Sequence, residues 1–186
     1  MVEAASVAAP ARRIVYQAGF ETIARAVNLD SQPELIAELS KLGYDRNREQ
    51  TEYPYEVMQR VLERVRQHAF PLLSIDQGFE ALGRQSFRAY RSTLVGQVVM
   101  AAMSMIPLER VVRLAARGFK SVSNYYENEV RRQGERQLIY STLRSTIPGA
   151  YTKGLLLELL AGSHNENVRV RLESETPERT DFSLSW

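Results

Sequence analysis

The sequence predicts an α+β domain, in which a helical N-terminal two thirds is followed by a small antiparallel sheet with one helix. Three observations lead there. Apolar residues recur at helical spacing through most of the chain up to Gly118. Beyond Gly118 the apolar period shortens to two. The strand-like stretches then lie on both sides of a single leucine-rich helix, so strands and helices are segregated rather than alternating.

Residues 14–27 carry Val15, Ala18, Ile23 and Ala26 in a helical pattern. Asp30 and Ser31 are suited to cap the next segment, with Pro33 in its first turn and Gly43 just past its end. Residues 46–51 are polar and read as a loop. Pro54 opens a helix that places Val57, Val61, Leu62 and Val65 on one face, and Pro71 ends it. Further helices are expected over residues 74–90, over the mostly apolar residues 92–104, and from Pro107 to Gly118. The last of these turns Leu108, Val111, Val112 and Ala115 inward.

Residues 121–131 and 136–144 read as strands joined by a turn at Gln133 and Gly134. Pro148 and Gly149 open the leucine-rich helix, which closes at Gly162. Val168, Val170 and Leu172 then alternate with Arg169 and Arg171, and residues 180–186 alternate through Phe182, Leu184 and Trp186. With the polar link around Pro177, these stretches form a half-buried antiparallel hairpin.

A length of 186 residues suits one domain. Residues 14–186 are read as that domain. Residues 1–13 lack a long apolar run and are read as a flexible tail rather than a signal peptide. The absence of cysteine excludes a disulfide scaffold, a thiolate metal site and a thiol nucleophile, and it suits a cytoplasmic location. The apolar stretch 94–106 is broken by Gly96, Gln97 and Ser104 and falls short of the roughly 20 residues of a membrane span. The net charge is +2 and the arginines are dispersed, so no nucleic-acid partner is expected.

Catalytic patterns are scarce. There is no glycine-rich phosphate loop and no Gly-x-Ser-x-Gly elbow. The two histidines, His68 and His164, lack a second histidine at ligand spacing, so no metal site is expected. Glu127 and Glu129 alternate on a strand and could pair as acid and base, but nothing else completes a site. The chain is therefore read as a binding protein and not an enzyme. Met100, Met103 and Met105 cluster at the end of one helix, either as flexible core filling or as an adaptable apolar lining. Tyr140, Thr142 and Arg144 alternate along one strand, which puts all three on one face. Two hydroxyls and a guanidinium there would grip a carboxylate, although a solvent-facing polar strand has the same spacing.

These features resemble the heme-nitric oxide/oxygen-binding (H-NOX) domains over nearly the whole chain, from Ile14 to Trp186. The resemblance is carried by Gly83-Arg84-Gln85, by the final Phe182-x-Leu184-x-Trp186 strand, and by Tyr140-Ser141-Thr142-Leu143-Arg144. The last stretch matches a Tyr-x-Ser-x-Arg motif that holds heme propionates in that family, with threonine in place of serine. Where the family carries its iron-binding histidine, this sequence places Val111, which supplies no axial bond. The chain more closely resembles an uncharacterised bacterial family with many paralogous copies. The matching stretches are residues 14–20, 53–65 and 78–85. The same broad superfamily includes vinyl-reductase-type sensor domains and Golgi-transport subunits that hold acyl chains.

The resemblance implies a cavity between a helical half and an αβ half. Two readings follow. In the first, a sensor-like domain holds a small apolar ligand with an acidic group. Met100, Met103, Leu108 and Val111 line the apolar part, and Tyr140, Thr142 and Arg144 hold the acid. No cofactor is expected, since heme or another tetrapyrrole would have to do without an axial histidine. A signalling protein is the partner such a domain would act on. In the second reading the cavity is collapsed, and the domain works through a surface carrying Tyr125, Tyr126 or Trp186. The oligomeric state is left open.

Overall fold

The computed structural model describes residues 12–46, 48, 50–118, 121–163 and 167–186. The expected tail up to residue 11 and His164 lie outside them. The described residues form a helical half and a four-stranded antiparallel sheet, joined by one buried helix. No helix among them is long and apolar enough to cross a membrane.

The chain begins with a correction. Residues 14–27 are not one helix, because β1 (Ile14–Tyr16) precedes α1 (Gln17–Ala26). β1 pairs antiparallel with β2 (Glu52–Pro54), with Val15 opposite Tyr53. On its other side the Tyr16 amide donates to the Val122 carbonyl at 2.8 Å, and the Asn124 amide donates to Ile14 at 3.1 Å. Ile14, Val15 and Tyr16 are residue types that favour strands, and their partners lie far along the chain, out of reach of any local pattern. Arg13, expected in the tail, is held here. Its carbonyl accepts from the Tyr55 amide at 3.3 Å, and its guanidinium lies over the rings of Tyr55 and Tyr125.

A 3-10 turn, Leu29–Ser31, leads into α2 (Pro33–Lys41), which starts at Pro33 as expected. The expected caps are not used. Gln32 occupies the N-cap without a side-chain bond, Ser31 turns back to the Asn28 carbonyl, and Asp30 pairs with Arg46. α3 (Tyr55–Ala69) follows Pro54, and α4 (Ile75–Arg91) opens with a capping box between Ser74 and Gln77. Thr93 caps α5 (Leu94–Met103), and α6 (Leu108–Gly118) follows after a turn at residues 104–107. At the centre of the helical half Phe20 stacks on Tyr44 and Tyr53 meets both at a tilt, with ring centroids 4.7–5.6 Å apart.

The sheet contains β3 (Glu127–Gly134), β4 (Gln137–Leu143), β5 (Arg169–Glu175) and β6 (Arg179–Ser185) in the order β3-β4-β6-β5. The first strand starts later than the sequence pattern suggests, because residues 122–124 run beside β1 instead. The β3–β4 turn falls at Glu135 and Arg136, not at Gln133 and Gly134. Pairing aligns Leu138, Leu184 and Val170 in one row and Tyr140, Phe182 and Leu172 in the next. Leu108, Val112 and Ala116 of α6 pack on this face, together with Leu156 and Leu160 of α7 (Gly149–Gly162).

α7 is buried on nearly every side and connects the cores. Ala150 and Tyr151 belong to the helical half, while Leu156 and Leu160 belong to the sheet half. It reaches α4 almost backbone to backbone. A Cβ at Gly83 would stand 2.1 Å from the Tyr151 carbonyl oxygen, and one at Gly154 would stand 2.2 Å from the Glu80 carbonyl oxygen. Only glycine permits that approach. Lys153 pairs with Glu80, and Arg88 and Arg91 pair with the buried Glu158, which fixes the rotation of the two helices.

Gly83→Ala or Gly154→Ala should force α4 and α7 apart, costing about 1–3 kcal/mol and lowering Tm by several degrees. Gly118→Ala, where nothing stands within 4 Å, should leave Tm unchanged or slightly raised. Thermal denaturation followed by circular dichroism reads both. Equal Tm values for all three variants and the parent would refute the account of the helix crossing.

Candidate functional site

Enclosed by β1, the helices α1 and α3–α7 and the segment 121–126 lies a cavity of about 670 Å³, which no described residue of β3–β6 lines. Each surrounding element supplies apolar side chains for a reason already built into the fold. β1 and α1 contribute Val15, Gly19 and Ile23, and α3 contributes Met58 and Leu62. α4 and α7, locked by their glycine contacts, present Phe87 and Tyr90 and, opposite them, Tyr151, Leu155 and Leu159. α5 and α6 close another side with Val99, Ala102, Met103, Leu114 and Ala115. The segment 121–126, drawn in by its bonds to β1, adds Val122, Ser123, Tyr125 and Tyr126. None of the described lining residues carries a charge, and none is a histidine.

The polar groups are few. The Tyr126 amide donates to Ser123 Oγ at 3.1 Å, and the Tyr126 hydroxyl lies 3.4 Å from Thr152 Oγ1. Burial pushes the phenols of Tyr125 and Tyr126 up, and that of Tyr151 up to about 12. These rings therefore stay neutral at ordinary pH. They offer hydrogen bonds in an otherwise apolar space, the pattern of a small-molecule site.

The structure disperses the residues that the sequence grouped. Met103 lines the cavity. Met100 and Val111 pack in a small buried cluster with Leu159, which is itself part of the cavity wall. Leu108 belongs to the core between α6, α7 and the sheet. Tyr140 and Thr142 do share the inner face of β4, where both are buried, and the Tyr140 hydroxyl has no hydrogen-bond partner among the described residues. Arg144 does not join them. Its φ of +52° takes the chain out of the strand, its amide donates to the Glu178 carbonyl, and its exposed guanidinium pairs with Glu127 at 3.0 Å. Period two holds only while the backbone stays extended, and Arg144 lies one residue beyond β4.

The other candidates are also placed. Glu127 and Glu129 face Arg144 and Arg179 as exposed ion pairs. Tyr125 and Tyr126, expected on a working surface, line the cavity instead, and Trp186 packs partly buried against the sheet core. His68 is exposed in the last turn of α3. The residues that sequence reasoning missed, among them Val15, Met58, Phe87, Tyr151 and Leu155, show no signal beyond ordinary core spacing. Cavity-lining and core residues obey the same periodicity.

With this architecture the chain has the fold of an H-NOX domain. It is similar to an H-NOX protein from S. oneidensis in the Fe(II)NO ligation state. The two are 13% identical with a TM-score of 0.61, over 89% of this chain and 96% of that one. An oxygen-binding H-NOX domain related to soluble guanylate cyclases, in its oxygen complex, is 11% identical with a TM-score of 0.56. The match covers 90% of this chain and 93% of that one. The Fe(II) unliganded H-NOX protein from K. algicida is 13% identical with a TM-score of 0.56, over 89% and 94% of the two chains. No protein of curated function matches the sequence. Residues 13–186 match the family described as "Protein of unknown function (DUF2378)", and the chain belongs to that family.

The buried phenols carry a stability prediction. Tyr44 and Tyr151 ionise at about 12 in the folded chain against 10.0 ordinarily. Unfolding therefore releases their protons at any pH between these values. Stability is fully present below pH 10 and should fall as pH rises through this window to about 12. Tyr151→Phe should make the decline shallower. Denaturant midpoints measured across the alkaline range check this, and a parent protein with flat midpoints would contradict it.

Proposed function

We propose that the chain is a non-catalytic, sensor-like domain that binds an apolar small molecule in the cavity enclosed by its helices. The observation that carries the reading is the cavity itself. Its volume falls within the roughly 300–1,000 Å³ of small-molecule sites, and its wall is mostly apolar with neutral phenols at Tyr125, Tyr126 and Tyr151. A collapsed, side-chain-filled interior, which the surface-module reading requires, does not suit a space of that size.

The lining does not fit a histidine-ligated heme. No described lining residue is a histidine, Val111 is packed in a side cluster, and burial disfavours the phenolate that a tyrosine ligand would need. No described lining residue offers a cation to propionates, and Arg144 is turned toward Glu127. If the ligand carries an acid, the cation we assign to it is Arg13. Its guanidinium lies 5.7 Å from the ring centre of the lining residue Tyr125.

A titration with neutral and anionic naphthalene-based fluorescent probes tests the reading. Both should bind the parent with emission shifted to the blue. Ala115→Trp should fill the space and weaken both about tenfold or more, by steric exclusion. Arg13→Ala should weaken only the anionic probe, and Arg144→Ala should change neither. Added hemin should give no sharp Soret band beyond that of free hemin. Equal probe binding by the parent and by Ala115→Trp would remove the cavity as the site. A stoichiometric heme complex would overturn the heme-free reading.

A further inference from the structure

α5 is unlike any other helix among the described residues. Its residues Leu94–Met103 include no charged side chain, and only Gly96 and Met100 are fully buried. At 100° per residue, Leu94, Val95, Val98, Ala101 and Ala102 fall on one outward face, with Gln97 at its edge. Leu94, Val95 and Val98 are each about two thirds or more exposed, and Met105, just beyond the helix, is 85% exposed. Folding leaves such a surface bare at a cost in hydration, and contiguous apolar patches mark contact surfaces.

Two further observations indicate what that surface meets. The first is charge. Between residues 87 and 118 the charged residues are Arg88, Arg91, Arg110, Arg113 and Arg117, with Glu109 as the one acid. Arg88 and Arg91 share Glu158, and Arg113 pairs with Glu109. Arg110 and Arg117 have no ion pair among the described residues. They lie a turn to either side of the 44% exposed Leu114 on the outer face of α6. The second is position. Ala102 of α5 and Leu114 of α6 are both exposed and both line the cavity, so the apolar face and the arginines border its mouth.

We propose that the α5–α6 face docks the domain on an anionic lipid bilayer, with Leu94, Val95 and Val98 entering the interface and Arg110 and Arg117 meeting lipid phosphates. That the docked face opens the cavity toward lipid rests on the reading of the cavity as a ligand site. An apolar helix rimmed by arginine is the composition of an interfacial helix. At about 1.5 Å per residue, α5 is far too short to span a hydrocarbon core of about 30 Å, so it lies in the surface. A second copy of the chain fits less well. A two-fold contact through this face would set Arg110 and Arg117 against their own equivalents.

Flotation of the full chain with extruded vesicles tests this. The parent should float with vesicles of phosphatidylcholine and phosphatidylglycerol, far less with phosphatidylcholine alone, and less as salt rises. Val98→Asp should reduce flotation on the mixed vesicles. Arg110→Glu with Arg117→Glu should lower it about tenfold or more. All three positions are exposed, so an unchanged Tm shows that each variant is folded. Ala115→Trp, which blocks the cavity, should float like the parent. Probe binding without flotation would overturn docking and leave the cavity reading intact. Flotation without probe binding would support docking while the cavity reading fails. Equal flotation of the parent and Val98→Asp would overturn the proposal. So would a dimer, seen by light scattering, that Val98→Asp dissolves while the parent ignores vesicles.

Discussion

The approach of α4 to α7 at Gly83 and Gly154 is the contact on which the rest of the molecule depends. Two helices ordinarily keep their axes about 8–10 Å apart because side chains stand between them. Here the carbonyl oxygens of Tyr151 and Glu80 stand too close to leave room for Cβ atoms at Gly83 and Gly154. Holding the backbones together at this crossing lets the same helices present Phe87, Tyr90, Leu155 and Leu159 to a common space beside it. The cavity is therefore a consequence of close packing rather than of its absence. The helix that closes it is also the one that links the helical core to the sheet core.

Electrostatics support this arrangement at its edges. Glu158 is buried and is met by Arg88 and Arg91, and Lys153 reaches Glu80 across the same interface. Breaking a buried pair leaves an uncompensated charge, which costs far more than the pair contributes when intact. These contacts therefore discriminate against other rotations of α7 more than they add stability. The exposed pairs of Arg144 and Arg179 on the sheet do little of either, because solvent screens them.

α5 and the segment beside β1 complete the enclosure. α5 buries few of its side chains and owes its start to the Thr93 cap. The segment 121–126 is held to β1 by backbone bonds at Tyr16 and Asn124. Both border the cavity, and α5 buries only Gly96 and Met100. Low local contact is where a structure opens at least cost. The cavity thus sits between the close-packed α4–α7 wall and a thinly buried α5.

By itself the sequence determined the class of fold, the span of nearly every helix after residue 30, and the terminal hairpin with its inward Phe182 and Leu184. Those features follow from local period, proline placement and capping, which act within a few residues. It also held Gly83 within a family-like motif, though without the reason for it. Only the tertiary structure decided that Ile14–Tyr16 is a strand, since its partners lie at residues 52–54 and 122–124. It decided too that Arg144 leaves the face it was expected to share. One residue beyond β4 the backbone takes a positive φ, and alternation no longer sets the direction of a side chain. The family resemblance implied a cavity, but of the residues grouped there as its lining only Met103 faces it, because an apolar side chain that lines a space and one that fills a core satisfy the same pattern. What separates them is how closely α4 and α7 approach, and that distance is a property of two backbones meeting.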